Sequence, residues 1–195
     1  MDKFVIQGGI PLKGEVTPSG NKTAALPLLA ATILTSEPVV LHNLPEINDV
    51  KTMRSLLESI GVKVTHINGH SWQFHAEDIQ TSNLDPELCA TIRASVLLAG
   101  PMIARTGKLV LPPPGGDVIG RRRLDTHILA LKALGVKTTY QKAKNLFEFE
   151  ANSLIGTEIL LDEASVTATE NAVMAAATAG GKTIIRNAAS EPHVQ

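Results

Sequence analysis

Cysteine is almost missing from this 195-residue chain, with Cys89 its only example. One thiol excludes an internal disulfide and points to a reducing compartment. An excess of either charge is missing too: 18 Lys and Arg stand against 19 Asp and Glu, for a formal net charge of -1. Such balance speaks against a dedicated nucleic-acid binder, which would carry a strongly basic face. No apolar run is long enough to span a bilayer, since the most apolar stretch, Ala24 to Leu34, is short and contains Pro27. Met1-Asp2-Lys3-Phe4 leads straight into a strand-like segment, without the charged-then-apolar pattern of a secretory signal. The expectation is a cytoplasmic protein with neither a membrane nor a nucleic acid as partner.

What the chain does have is apolar residues, 44% of the total, enough for one buried core and part of a second. They recur in a repeat of an Ala/Leu-rich helix, a β-branched strand, an amphipathic helix and a hairpin. The first copy runs through the helix Ala24 to Leu34 and the strand Val39 to His42. Its second helix spaces Met53, Leu56, Leu57 and Ile60 as one buried stripe and ends at Gly61. Strand Val62 to Ile67 then turns at Asn68-Gly69 into Ser71 to His75. The second copy opens on the cap Asp85-Pro86, with a helix predicted to run to about Ala104 and a strand Lys108 to Leu111. Leu124, Ile128, Leu131 and Leu134 mark its second helix, and Gly135-Val136-Lys137 repeats Gly61-Val62-Lys63 letter for letter. Strands near Val136 to Tyr140 and Leu146 to Glu150 close it. A third copy has strand Glu158 to Leu161, helix Thr169 to Ala179 and strand Lys182 to Arg186, and stops at Gln195 before its second helix. The unfinished copy reads as part of something longer. The leading strands Phe4 to Gln7 and Leu12 to Thr17 fit none of the copies and are expected to belong to another lobe. The fold class is α/β (α+β).

Several constellations could carry chemistry. Ser19-Gly20-Asn21-Lys22-Thr23 lies between a strand and a helix, where free N–H groups, the helix dipole and Lys22 favour an anion. An ordinary capped helix with a solvated lysine would look the same. Pro112-Pro113-Pro114-Gly115-Gly116-Asp117-Val118-Ile119-Gly120 is stiff at one end and free at the other, either a loop presenting Asp117 or a rigid connection. Arg121-Arg122-Arg123, at the predicted start of the next helix, suits phosphate or carboxylate, or is a solvated basic run. Arg93, inside an apolar helix, needs a structural carboxylate or a ligand anion. Asp125 and His127 read as an acid/base pair or, preferably, as a surface pair. His66, His70 and His75 lack ligand spacing, so no metal is assigned. Cys89, among Leu88, Ala90 and Ile92, reads as a core residue.

Together Gly20-Asn21-Lys22, Arg93-Ala94-Ser95, the loop Gly115 to Gly120, Arg122, Asp125, His127 and Asn187-Ala188-Ala189 resemble the UDP-N-acetylglucosamine 1-carboxyvinyltransferase family. The resemblance runs from Phe4 to the last residue. The sister enzyme acting on shikimate 3-phosphate shares the repeat but has a different lysine motif in its first loop. The family implies two lobes of three βαβαββ units each, with helices inside small sheets, in chains a little over twice this length. Residues 1–20 would then belong to the second lobe and residues 21–195 to the first, its last unit truncated.

The resemblance also implies an activity: transfer of the enolpyruvyl group of phosphoenolpyruvate to the 3-hydroxyl of UDP-N-acetylglucosamine. Phosphate is released, no cofactor is used, and the missing lobe is needed for turnover. By position, Lys22 and Thr23 would hold phosphoenolpyruvate, with Thr23 standing where asparagine is usual. Arg93, Arg122, Arg123, Leu124, Asp125 and Thr126 match segments that bind the UDP-sugar, with Arg122 also close to the enolpyruvyl group. Glu163, Ala164, Ser165 and Val166 match a further such segment, in which Glu163 replaces a frequent lysine. Glu191 matches a family glutamate, and His193 replaces a second one. Asp117 takes the place of the family's reactive cysteine as proton donor, which implies resistance to the epoxide fosfomycin. Burial would raise its pKa as that role needs, and the flanking arginines oppose it. A non-catalytic module binding a nucleotide sugar or a partner chain is the alternative.

Overall fold

Each repeat forms a unit that lays its first helix into a shared core and its strands outside. The computed structural model describes residues 3–116, 120 and 123–195. The first unit holds α1 (Lys22–Ala31), β1 (Val39–Leu41), α2 (Asn48–Ser59), β2 (Lys63–Asn68) and β3 (Ser71–His75). The second holds α3 (Pro86–Thr91), a 3₁₀ turn Arg93–Leu98, α4 (Ala99–Thr106), β4 (Lys108–Leu111), α5 (Asp125–Ala133), β5 (Lys137–Gln141) and β6 (Leu146–Glu150). The third holds β7 (Glu158–Leu160), α6 (Val166–Ala176) and β8 (Ile184–Arg186).

The repeat is physical as well as textual. The sheets run in the orders β1-β3-β2 and β4-β6-β5, antiparallel throughout. Phe74, opposite Val39, and Phe149, opposite Leu109, both point into the core. The stripe Met53, Leu56, Leu57 and Ile60 is wholly buried. Gly61 (φ +104°) and Gly135 (φ +99°) leave α2 and α5 by one route. Val62 N–H donates to Leu57 O and Val136 N–H to Leu131 O, both at 3.0 Å. That pairing satisfies carbonyls the helix end would otherwise orphan. In the third unit β7 and β8 are parallel.

Helix α6 packs against both α4 and α5 and touches α1. At Gly100, where α4 faces α6, a Cβ would lie 2.6 Å from the Asn171 carbonyl oxygen. Only glycine lets α4 and α6 come that near.

The structure corrects the sequence reading in several places. Residues 3–19 are exposed and form no strand, with Phe4, Leu12 and Val16 all more than 90% exposed. A strand needs a ladder partner, and among the described residues none pairs with them. The helix expected from Pro86 to Ala104 breaks at Ile92, which is extended (φ −134°, ψ 139°). Gly115 N–H donates to Cys89 O at 2.9 Å, taking the carbonyl that Arg93 N–H would use in a continuous helix. Helix α5 begins at Asp125, so Arg123 precedes it, and α6 begins at Val166, a turn earlier than expected.

Candidate functional site

The break at Ile92 turns Arg93 out of the helix it would have occupied. Its Nη2 donates to the carbonyl of Arg123 at 2.9 Å, tying the two basic segments together. The loop ahead of them is seated by its glycines. A Cβ on Gly115 would lie 1.6 Å from Ala90 O, and Gly116 has φ +86° with Arg93 N at 3.0 Å from such a Cβ. Backbone contact therefore requires both glycines.

Arg93 and Arg123 line a cleft of about 330 Å³ together with Thr126, Glu163, Ser165 and Thr167. A neighbouring cleft of about 300 Å³ shares both arginines and adds Pro113, Pro114, Leu124 and Asp125. Ser165 caps α6, its hydroxyl accepting from Ala168 N–H, so the positive end of that helix opens beside the arginines. Leu124 is buried and Val166, the first residue of α6, is half-buried, whereas Glu163 and Ala164 are exposed. Asp125 is exposed and ion-paired with Arg123. Thr126 is buried and donates to Asp162 Oδ1 at 2.7 Å. Lys22 opens α1, ion-paired with Asp49 and 52% exposed, and Thr23 Oγ1 donates to Asn21 Oδ1 at 2.6 Å. Neither Lys22 nor Thr23 lines the two arginine clefts. Asp117 and Arg122 lie outside the described residues.

His127 departs from its reading as half of a surface pair with Asp125. It is buried, and its ring nitrogens engage Asn171 and Thr167 of α6 at 2.9 and 3.2 Å. Burial, then the Arg93 charge, push its pKa down to about 4. Cys89 is fully buried, and burial pushes its thiol up to about 11, as suits a core residue. Among the described residues no group of three or more His, Cys, Asp or Glu could hold a metal ion, and no helix is long and apolar enough to cross a membrane. A larger cavity, about 640 Å³, lies between α4 and residues 151–154 and contains none of the expected site residues.

Sequence reasoning missed Asp162, Thr167, Glu170 and Asn171. Glu170 and Asn171 left a signal, as adjacent polar residues inside the Ala-rich helix α6. Thr167 left none, because its partner His127 is 40 positions away in the chain.

The EPSP synthase (3-phosphoshikimate 1-carboxyvinyltransferase) family profile matches residues 6–195. The UDP-N-acetylglucosamine 1-carboxyvinyltransferase of Bradyrhizobium diazoefficiens is 54% identical over 193 residues, covering 99% of this chain and 44% of its own. The protein of that name from Treponema denticola is 55% identical over 195 residues, covering 100% of this chain and 45% of its own. The chain thus spans less than half the length of these curated relatives. The crystal structure of the enolpyruvyl transferase NikO from Streptomyces tendae matches with a TM-score of 0.79 at 24% identity, over 96% of this chain and 43% of NikO. EPSP synthase from Acinetobacter baumannii matches at 0.71 and 16% identity, over 93% of this chain and 42% of its own. These two likenesses establish the fold.

Proposed function

This chain belongs to the EPSP synthase family, and we propose that it is the UDP-sugar-binding lobe of a UDP-N-acetylglucosamine 1-carboxyvinyltransferase. The protein would act in the cytoplasm at the first committed step of peptidoglycan synthesis. The observation that carries this reading is the cleft where Arg93 and Arg123 converge on the capped start of α6. Arginines and a helix N-terminus together suit the diphosphate of a nucleotide sugar. Arg93, the segment Arg122 to Thr126, and Glu163 to Val166 would hold that ligand. Lys22 and Thr23, at the start of α1, would hold phosphoenolpyruvate. Residues 1–20 would pack in the opposing lobe, which accounts for apolar side chains such as Phe4 and Leu12 being bare here.

In the reaction the sugar 3-hydroxyl attacks C2 of phosphoenolpyruvate while C3 takes a proton from Asp117. The hydroxyl gives up its proton as the O–C2 bond forms, and the tetrahedral ketal then eliminates: a proton leaves the C3 methyl group and phosphate departs from C2, regenerating the double bond. Lys22 and Arg122 stabilise the anions throughout.

Phosphate release from the two substrates by the full-length protein tests the assignment. Asp117→Asn should lose most of it, because an amide cannot donate the proton. The wild type should resist fosfomycin, since a carboxylate is a poor nucleophile towards an epoxide, and Asp117→Cys should gain a covalent adduct at that position. Full activity of Asp117→Asn would move the proton donor elsewhere. An absence of phosphate release by the wild type would defeat the transferase reading and leave a binding module.

A further inference from the structure

Asn171 is fully buried between three elements, and its surroundings leave its amide one orientation. Its Oδ1 accepts from Gly100 N–H at 2.8 Å, which only an oxygen can do. Its Nδ2 donates to Val96 O at 2.8 Å, which only a nitrogen can do. Two backbone groups of opposite sense thus fix which end is which, the point normally left open for an amide. The second hydrogen of Nδ2 faces His127 Nδ1 at 2.9 Å. Nδ1 must therefore be the acceptor, bare of a proton.

A neutral imidazole with a bare Nδ1 carries its hydrogen on Nε2. Burial and the Arg93 charge keep this ring neutral. The Nε2–H then points to Thr167 Oγ1, 3.2 Å away. Having accepted that bond, the Thr167 hydroxyl has its own hydrogen still to place. It lines the Arg93–Arg123 cleft, half-buried, in the first turn of α6.

We propose that Thr167 is a specificity-determining residue, a hydroxyl held as a donor to a phosphate oxygen of the nucleotide diphosphate, with Asn171 and His127 as its positioning residues. The proposal rests on the nucleotide-sugar reading of the cleft. The chain of donors runs one way, from Asn171 through His127 to Thr167 and on to the ligand. It gives the cleft a neutral, directional donor beside two arginines, which attract anions of any shape. Such a donor favours an acceptor oxygen at one place and rejects a group that cannot accept.

Calorimetric titration of the full-length protein with UDP and with UDP-N-acetylglucosamine tests it. Thr167→Val, which keeps the shape and deletes the hydroxyl, should weaken both ligands ~10-fold, the usual cost of losing a hydrogen bond to a charged group. Thr167→Ser should restore both binding and the wild-type melting temperature, whereas Thr167→Val leaves the His127 Nε2–H without its acceptor and should melt somewhat lower. Nitrogen NMR of the ligand-free protein should find His127 neutral with its proton on Nε2, and Asn171→Asp, which presents an acceptor to Nδ1, should move that proton to Nδ1. Unchanged affinity in Thr167→Val, or a proton on Nδ1 in the wild type, would overturn the role of Thr167 while leaving the cleft's assignment standing. Failure of the wild type to bind either ligand would overturn that assignment, and the proposal with it.

Discussion

Glu170 is a carboxylate only 7% exposed, on the Ala-rich helix α6, with one oxygen 3.9 Å from His193 Nε2. Neither that oxygen nor the imidazole nitrogen has a hydrogen-bond partner among the described residues. Burial first, then the charge of Glu191, push the Glu170 carboxyl up to about 7 from its ordinary 4.5. The folded state therefore holds this proton more tightly than the unfolded chain does. Its contribution to stability is fully present below about 4.5 and is lost as pH rises through about 7. Between pH 5.5 and 8 the protein should lose ~2 kcal/mol of stability from this group. Glu170→Gln, neutral at every pH, should flatten that slope in urea denaturation and be the more stable form at pH 8. A variant with the wild-type slope would show that water or the remainder of the chain solvates the carboxylate. The sequence marked Glu170 as a polar residue inside an Ala-rich helix but not the cluster it forms, since His193 and Glu191 lie beyond that helix in the chain. That Arg93 needs a partner was legible, by contrast, because an arginine among Ile92, Ala94 and Val96 demands one, and the Arg123 carbonyl supplies it.

At the scale of elements, the repeated Gly61-Val62-Lys63 and Gly135-Val136-Lys137 offer paired tests of one conformation. Both glycines have a left-handed φ near +100°, but they differ in surroundings. A Cβ on Gly135 would meet only Ser153 O at 3.6 Å, so Gly135→Ala should cost the backbone strain alone, ~1–2 kcal/mol. A Cβ on Gly61 would come within 2.8 Å of Gln80 Cγ and 3.0 Å of Asp78 O, so Gly61→Ala should cost more. Chemical denaturation of both variants measures the difference, and a neutral Gly135→Ala would mean that the α5 cap relaxes without loss. These glycines were legible because the stripe ahead of each, such as Met53 to Ile60, ends at them. The break at Ile92 was not legible. Residues 86–104 have no internal stop signal before Gly100-Pro101, and the helix is interrupted by a contact from Gly115, distant in sequence. Tertiary competition for one carbonyl overrode local propensity there. The leading strands failed in the opposite sense. Phe4 to Gln7 and Leu12 to Thr17 have strand composition, but a ladder needs a second strand that the described chain does not bring to them.

For the molecule as a whole, the charges expected to hold substrate are poorly shielded. Lys22 is 52% exposed and paired with Asp49, and Arg123 is 77% exposed and paired with Asp125. Exposed cations already neutralised by carboxylates attract a phosphate weakly, because water and salt screen them. Stabilising a developing oxyanion needs the same groups in a site from which water is excluded. On the proposed reading, an opposing lobe would cover the Arg93–Arg123 cleft and exclude water from it. The relatives run to more than twice this length, which leaves ample chain for an opposing lobe. The 195-residue chain by itself should bind UDP-N-acetylglucosamine weakly, with an affinity that falls as salt is raised. It should release little or no phosphate from phosphoenolpyruvate in its presence. Supplying an opposing lobe, fused or as a separate piece, should bring both tight binding and phosphate release. Brisk turnover by the isolated chain would mean that its own clefts exclude water well enough, and the need for a second lobe would fall.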